Sequence, residues 1–187
     1  MELAICANEA SRFSHDAEAD LVEKAKHDRE AFAQLYRRYY PTMATYLLRR
    51  TGDVHAAQDL VSDVFLTVMR DLPRYRQRGV PFRYWVYRIA TNAANRWAKT
   101  RKRYARAHLS DHELVDPTSE LDPGESTQTP CASRALLDLP GKHQAVLALY
   151  HIEDLSIQQI SLVLGCRPGT VKSRLSRARD ALRAKLT

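Results

Sequence analysis

Between Asp53 and Pro73 the apolar residues Ala57, Leu60, Val61, Val64, Phe65, Val68 and Leu72 recur at steps of three and four. This spacing gathers them on one stripe of an α-helix, whereas a half-buried strand would alternate every second residue. Asp53 has the side chain to cap the start of that helix, and Pro73 ends it. No stretch of the 187 residues has strand-like alternation bounded by hairpin turns, and no internal repeat is evident. The chain therefore reads as all-α.

Upstream, Asp28 is placed to cap a helix REAFAQLYRRYY in which Phe32, Leu35, Tyr36 and Tyr39 share a face. Pro41 disfavours helical backbone at Tyr40, which predicts a break or kink there. Met43, Tyr46 and Leu47 resume the pattern, and Gly52 stops it. Near the other end, in LSIQQISLVLGCRPGTVKSRLSRARDALRAKL, Ser156 and Gln159 have capping-box spacing and open a short helix running through Ile160 to Leu164. Gly165 suits a left-handed turn and Pro168 the first turn of the next helix. Two helices joined by so short a Gly-containing turn describe a helix-turn-helix, with Val171, Leu175, Ala178 and Leu182 turned inward.

Charge divides the chain. Residues 82 to 106 hold eight Lys or Arg and no acid, and residues 167 to 187 hold seven against Asp180 alone. Between them, residues 107 to 130 hold six Asp or Glu and no Lys or Arg, with Pro, Ser and Thr and no apolar period. That composition predicts a flexible acidic linker. The expected organisation is a flexible N-terminus at 1–17, a helical domain at 18–104, a linker at 105–132 and a second helical domain at 133–187.

The net charge of +7 points to a polyanionic partner, and 44% hydrophobic with 27% charged residues fits a packed protein. No run is long and apolar enough to span a bilayer, and the N-terminus lacks the pattern of a secretory signal, so a cytoplasmic protein without membrane insertion is expected. Cys6, Cys131 and Cys166 lie far apart, and His108 and His112 have no completing ligands beside them, which argues against a zinc site and for two solvated linker histidines. No cofactor is implied.

The segment FRYWVYRIATNAANRWAKTRKR, residues 82 to 103, carries five aromatics and seven Lys or Arg. Phe82, Trp85, Val86, Ile89, Ala93 and Trp97 form its expected buried stripe. Tyr84, Tyr87, Arg88, Thr91, Asn92 and Asn95 are expected outward, followed by Arg96 and Lys99. Cations hold phosphates, aromatic faces stack on unpaired bases and amides read base edges, so this helix suits single-stranded nucleic acid. In the helix-turn-helix, Thr170, Lys172, Ser173, Ser176 and Arg177 lie near the exposed N-terminal half of the second helix, where such a helix meets the major groove. The outer face of the first-described helix carries Gln58, Asp59, Ser62, Asp63 and Thr67, either a solvated face or a dock for a basic partner.

Taken together, AFAQLYRRYYPTM, AAQDLVSDVFLTVMRDLPRYR, FRYWVYRIATNAANR, LPGKHQAVLALYHIEDLSIQQIS and CRPGTVKSRLSRARDALR resemble, in order, a bacterial RNA polymerase sigma factor of the extracytoplasmic-function group of the sigma-70 family. The resemblance covers about residues 18 to 187 and implies two domains, region 2 and region 4. It implies that Asp59, Ser62 and Asp63 dock on core RNA polymerase at the clamp helices of the β′ subunit, where the family usually has Gln at Ser62 and Glu at Asp63. It implies that Tyr84, Tyr87, Arg88, Asn92, Asn95 and Arg96 read and melt the -10 promoter element, with Asn92 at the pocket for a flipped base; many relatives carry Asp where this chain has Arg96. Thr170, Lys172, Ser173, Arg174, Ser176 and Arg177 would read the -35 element. The implied partners are core RNA polymerase, including its β flap, promoter DNA, and an anti-sigma factor that is often membrane-anchored. The implied function needs no catalytic residue. Two other classes remain open from the residues alone: a stand-alone helix-turn-helix regulator, which leaves the aromatic helix unexplained, and a nucleic-acid enzyme, for which clustered carboxylates or a zinc signature are lacking.

Overall fold

A computed structural model describes residues 17–77, 80–108 and 130–186, with side chains omitted at 105–108 and 130–132. Most of the expected flexible N-terminus and of the acidic linker, His112 included, lies outside the described residues, as does Thr187. Every regular element among the described residues is helical. The order is α1 (17–24), α2 (Arg29–Thr51), α3 (Val54–Asp71), a 3-10 turn (Leu72–Arg74), α4 (Phe82–His108), α5 (Pro130–Leu137), α6 (Gly141–His151), α7 (Ile157–Leu164) and α8 (Pro168–Leu186).

The boundaries follow the local chemistry. Asp28 accepts the N–H of Glu30 at 2.8 Å at the start of α2, and Asp53 accepts that of Ala56 at 2.9 Å at the start of α3. Gly52 closes α2 at φ +67°, and Gly165 closes α7 at φ +62°, a region that glycine enters without a Cβ penalty. Ser156 and Gln159 form the reciprocal capping box at the head of α7.

One expected break is absent: α2 runs through Pro41 without interruption. Pro41 is exposed, so the carbonyl it frees faces water. On the opposite side Leu35, Tyr39, Met43, Tyr46 and Leu47 are buried on both sides of the proline. At about 1.5 to 3 kcal/mol per buried large side chain, this shared face outweighs the roughly 3 kcal/mol that an interior proline costs.

α3 buries Ala57, Leu60, Val61, Val64, Phe65 and Val68 against α2 and α4. In the second half α6, α7 and α8 pack together, with Val171, Leu175 and Ala178 buried beneath α8 and Leu182 half-buried. The two halves do not stand apart. α4 packs on α6 and α7, α2 touches α5 and α6, and one apolar cluster runs from Val22 to Ala178 through both modules.

This packing corrects the expected facing of α4. Tyr87 and Thr91, expected outward, are buried, together with Val86, Ala90 and Ala94. Trp85, Ile89 and Trp97, expected in the buried stripe, are only half-buried. The reason is a second packing partner: α4 meets α2 and α3 on one side and α6 and α7 on another, so its buried arc is wider than a single stripe.

Candidate nucleic-acid interface

Three surfaces carry the candidate residues. The first is the outer face of α3, where Asp59, Ser62 and Asp63 are exposed and the Ser62 hydroxyl donates back to the Gln58 carbonyl at 3.1 Å. Leu66, 59% exposed, and Met69, 53% exposed, continue the same stripe one and two turns on. Exposed acids beside exposed large apolar side chains make a surface suited to a protein partner rather than to DNA. Leu66 and Met69 escape the sequence reading because they fall off the buried stripe; their signal is that misplacement itself.

The second surface is α4. Asn92 and Arg96 are exposed, and Tyr84, Arg88 and Asn95 are half-buried. Arg83 lies 6.0 Å from the Tyr84 ring centroid, Arg101 lies 5.2 Å from that of Trp97, and Arg103 lies 5.7 Å from that of Tyr104. Tyr104, 58% exposed, adds a stacking face beyond the residues picked from the sequence.

Two of the α4 candidates are engaged by the second module, and a third by α2. The Tyr87 hydroxyl donates to the Glu153 carboxylate in the turn after α6. Burial, this hydrogen bond and the Glu153 charge together push the Tyr87 phenol well above its ordinary range. Arg88 donates from Nε to the Val163 carbonyl at 3.2 Å and from Nη2 to the Leu162 carbonyl, two of the carbonyls that the last turn of α7 leaves open. Asn95 Oδ1 accepts from Arg50 Nη2 at 2.9 Å. Between these contacts lies a cleft of about 350 Å³ in which Arg88, Lys142 and Arg174 are the charged residues, with Asn92 and Asn95 beside them.

The third surface is α8. Lys172, Ser173, Ser176 and Arg177 are exposed on its N-terminal half, and Thr170 and Arg174 are half-buried at its flanks. Arg177 donates only within its own helix, to the Ser173 carbonyl at 3.2 Å and its hydroxyl at 3.4 Å, bonds that a swing of the side chain exchanges for others. The helix-turn-helix thus presents polar and cationic side chains where a groove would take them. Among the described residues no three His, Cys, Asp or Glu side chains come together as a metal site.

The family model for sigma-70 region 2 matches residues 35–104, and that for sigma-70 region 4 matches residues 131–182. The chain belongs to the sigma-70 family, in its extracytoplasmic-function group. It is 31% identical to the RNA polymerase sigma factor YlaC of Bacillus subtilis, over 85% of this chain and 94% of that one. It is 32% identical to the RNA polymerase sigma factor CarQ of Myxococcus xanthus, over 84% of this chain and 90% of that one. Among solved structures it is similar to CnrH in complex with the cytosolic domain of CnrY, at TM-score 0.64 and 25% identity, covering 91% of this chain and 97% of that one. The sigma factor RpoE in complex with the anti-sigma factor NepR from Bartonella quintana has the same fold, at TM-score 0.65 and 22% identity over 83% of this chain and 96% of that one. As a sigma factor, this chain carries α3 and most of α4 within its region 2 match and α7 and most of α8 within its region 4 match. No described helix is long and apolar enough to cross a membrane.

Proposed function

We propose that the chain directs core RNA polymerase to specific promoters, with region 2 at residues 18–104 and region 4 at residues 133–187. The exposed stripe of Asp59, Ser62, Asp63, Leu66 and Met69 docks on the clamp helices of the β′ subunit, and region 4 also meets the β flap. The α4 residues Tyr84, Tyr87, Arg88, Asn92, Asn95 and Arg96 take the -10 element, with Asn92 at the flipped base. Thr170, Lys172, Ser173, Arg174, Ser176 and Arg177 take the -35 element. The polymerase performs the chemistry, and this chain contributes binding energy: extracting a base costs a few kcal/mol, which stacking and hydrogen bonds on α4 offset.

The observation that carries this reading is the pairing, in one chain, of an aromatic and cationic helix suited to unstacked bases with a helix-turn-helix suited to duplex. A stand-alone regulator needs only the second. Work at chromosomal promoters places the protein in the cytoplasm. An anti-sigma factor is the expected controller, in keeping with CnrH and RpoE having been solved bound to CnrY and NepR.

The test is transcription of a random promoter library by bacterial core enzyme with and without the purified chain, followed by sequencing of the transcripts. Enrichment of two spaced motifs only when the chain is present is the expected result. Failure to bind core enzyme, or binding without start-site choice, refutes the reading. Sequence-specific duplex binding by the chain alone, equal with and without polymerase, points to the stand-alone regulator instead.

A further inference from the structure

Three cations from three helices line the cleft of about 350 Å³ without an acid to balance them. Arg88 stands on α4, Lys142 in the first turn of α6 and Arg174 on α8, and among the described residues no Asp or Glu lines the cleft. No ion pair among the described residues includes any of the three. Two donors of Arg88 are held by the Val163 and Leu162 carbonyls, which fixes the guanidinium beside the cleft and leaves its remaining N–H groups for a ligand. Further positive charge stands behind Asn95. Its Oδ1 accepts from Arg50 at 2.9 Å, so what it has left to offer is its NH2, a donor. Arg50 is 2% exposed, its Nε has no hydrogen-bond partner, and no described acid pairs with it. A buried cation without a counter-ion makes a nearby anion favourable. α6 also starts without a side-chain cap, and Lys142 and Ala145 of its N-terminal half line the cleft, so the positive end of that helix adds to the same field.

We propose that this cleft is a binding site for a small diphosphate, with Arg88, Lys142 and Arg174 on its charge and the amides of Asn92 and Asn95 donating to its oxygens. Charge selects the ligand class. One phosphate group carries about 1.5 to 2 negative charges at neutral pH, too few to balance three cations, whereas two joined phosphates come close. Guanidinium groups grip phosphate oxygens in pairs, and a lysine supplies a compact charge between them. Size points to a small molecule: sites for such ligands run from roughly 300 to 1,000 Å³, so this cleft stands at the lower end of that range. Val163 and Leu164 give it an apolar edge beside the cations, which suits the uncharged part of a nucleotide. Lys142 has no part in the promoter contacts assigned above, and the site goes beyond the sigma reading because filling it needs neither polymerase nor promoter.

Isothermal titration calorimetry of the full-length chain tests this, at about 0.15 M ionic strength and without divalent cations. The probes are inorganic phosphate, pyrophosphate and adenosine diphosphate. One saturable site is expected, with the better of the two diphosphates bound at least about tenfold more tightly than inorganic phosphate. Tighter binding of adenosine diphosphate assigns the site to a nucleotide and tighter binding of pyrophosphate to a free diphosphate; either supports the proposal. Lys142→Glu on α6 and Asn92→Asp on α4 change charge at exposed positions on opposite walls, and each should weaken binding at least about tenfold. Lys24→Glu, exposed on α1 and outside the cleft, should stay within about twofold of wild type. If one cleft variant does not fold, the other decides. The proposal is overturned if no probe saturates, if a folded cleft variant binds as tightly as wild type, or if Lys24→Glu loses as much, which would reduce the effect to attraction by net charge. It is also overturned if only a single-stranded oligonucleotide binds in a Lys142-dependent way, which would give the cleft to DNA. None of these measurements contains polymerase, so their failure leaves the sigma reading standing, and that reading fails separately in the promoter-library experiment.

Discussion

Arg50 donates to Asn95 Oδ1 at 2.9 Å across the α2 and α4 packing, and is itself buried without an ion-pair partner among the described residues. Its other acceptors, Tyr46 Oη at 3.0 Å and the Gly141 carbonyl at 3.4 Å, are also neutral. Arg50→Ala removes these bonds and leaves a hole, and should cost about 2 to 4 kcal/mol in urea denaturation. Arg50→Met keeps most of the volume and removes a buried charge that no anion offsets, so it should cost clearly less. Equal losses for the two variants would assign the stability to the hydrogen bonds rather than to packing.

The α3 stripe predicts a separation of docking from folding. Leu66 is 59% exposed and contributes little to the core, so Leu66→Ser should leave the thermal midpoint within a degree or two of wild type. Asp59→Lys and Asp63→Lys reverse charge on the same exposed face. Each variant should weaken core polymerase association several-fold in a pull-down or anisotropy titration. Unchanged association across all three would move the docking surface elsewhere.

Asn92 is exposed and lines the cleft, apart from the hydrogen bonds that engage Tyr87 and Arg88. Asn92→Ala should therefore lower initiation mainly at promoters carrying the preferred -10 base, with core binding intact. The measurement is run-off transcription across a set of -10 variants. A uniform loss at every variant would place Asn92 outside the base pocket.

Much of this was legible beforehand because it is local. The caps at Asp28, Asp53 and Ser156, the left-handed turns at Gly52 and Gly165, and the stripe of α3 each depend on residues within a few positions of one another. Pro41 misled because the burial of Leu35, Tyr39, Met43, Tyr46 and Leu47 outweighs a local preference. The contacts between α4 and the second module were out of reach altogether. Tyr87 meets Glu153 across 66 positions and Arg88 meets Leu162 across 74, and nothing in the helical period of α4 tells an outward face bound for DNA from one bound for another part of the chain.

His151, at the end of α6, accepts on Nε2 from Arg179 at 3.4 Å. Partial burial and the Arg179 charge hold its imidazole below the ordinary 6.5, against a weaker opposite pull from Asp154. A histidine with a depressed folded pKa binds fewer protons folded than unfolded, so stability rises with pH through that window and falls as pH drops below about 6.5. The group is largely exposed, which makes the effect modest. Thermal melts should show a lower midpoint at pH 5.5 than at pH 7.5, and His151→Gln should flatten part of that difference. An identical pH profile in the variant would remove His151 as the cause.

Arg177 offers a test of how the helix-turn-helix would read sequence under the proposed function. Its guanidinium is exposed and held only by Ser173, one turn back on α8. A side chain so placed reaches either a base edge or a phosphate, and the two differ in their energetics. Bidentate pairing with a guanine is worth about 1 to 3 kcal/mol of discrimination at one position, whereas a phosphate contact strengthens binding to all sequences alike and steepens the salt dependence. Arg177→Ala should relax selection at one -35 base pair in the library experiment while leaving the others unchanged. An unaltered motif with a shallower salt slope would assign the side chain to the backbone, and Lys172, exposed five residues earlier on α8, would become the candidate for the base edge.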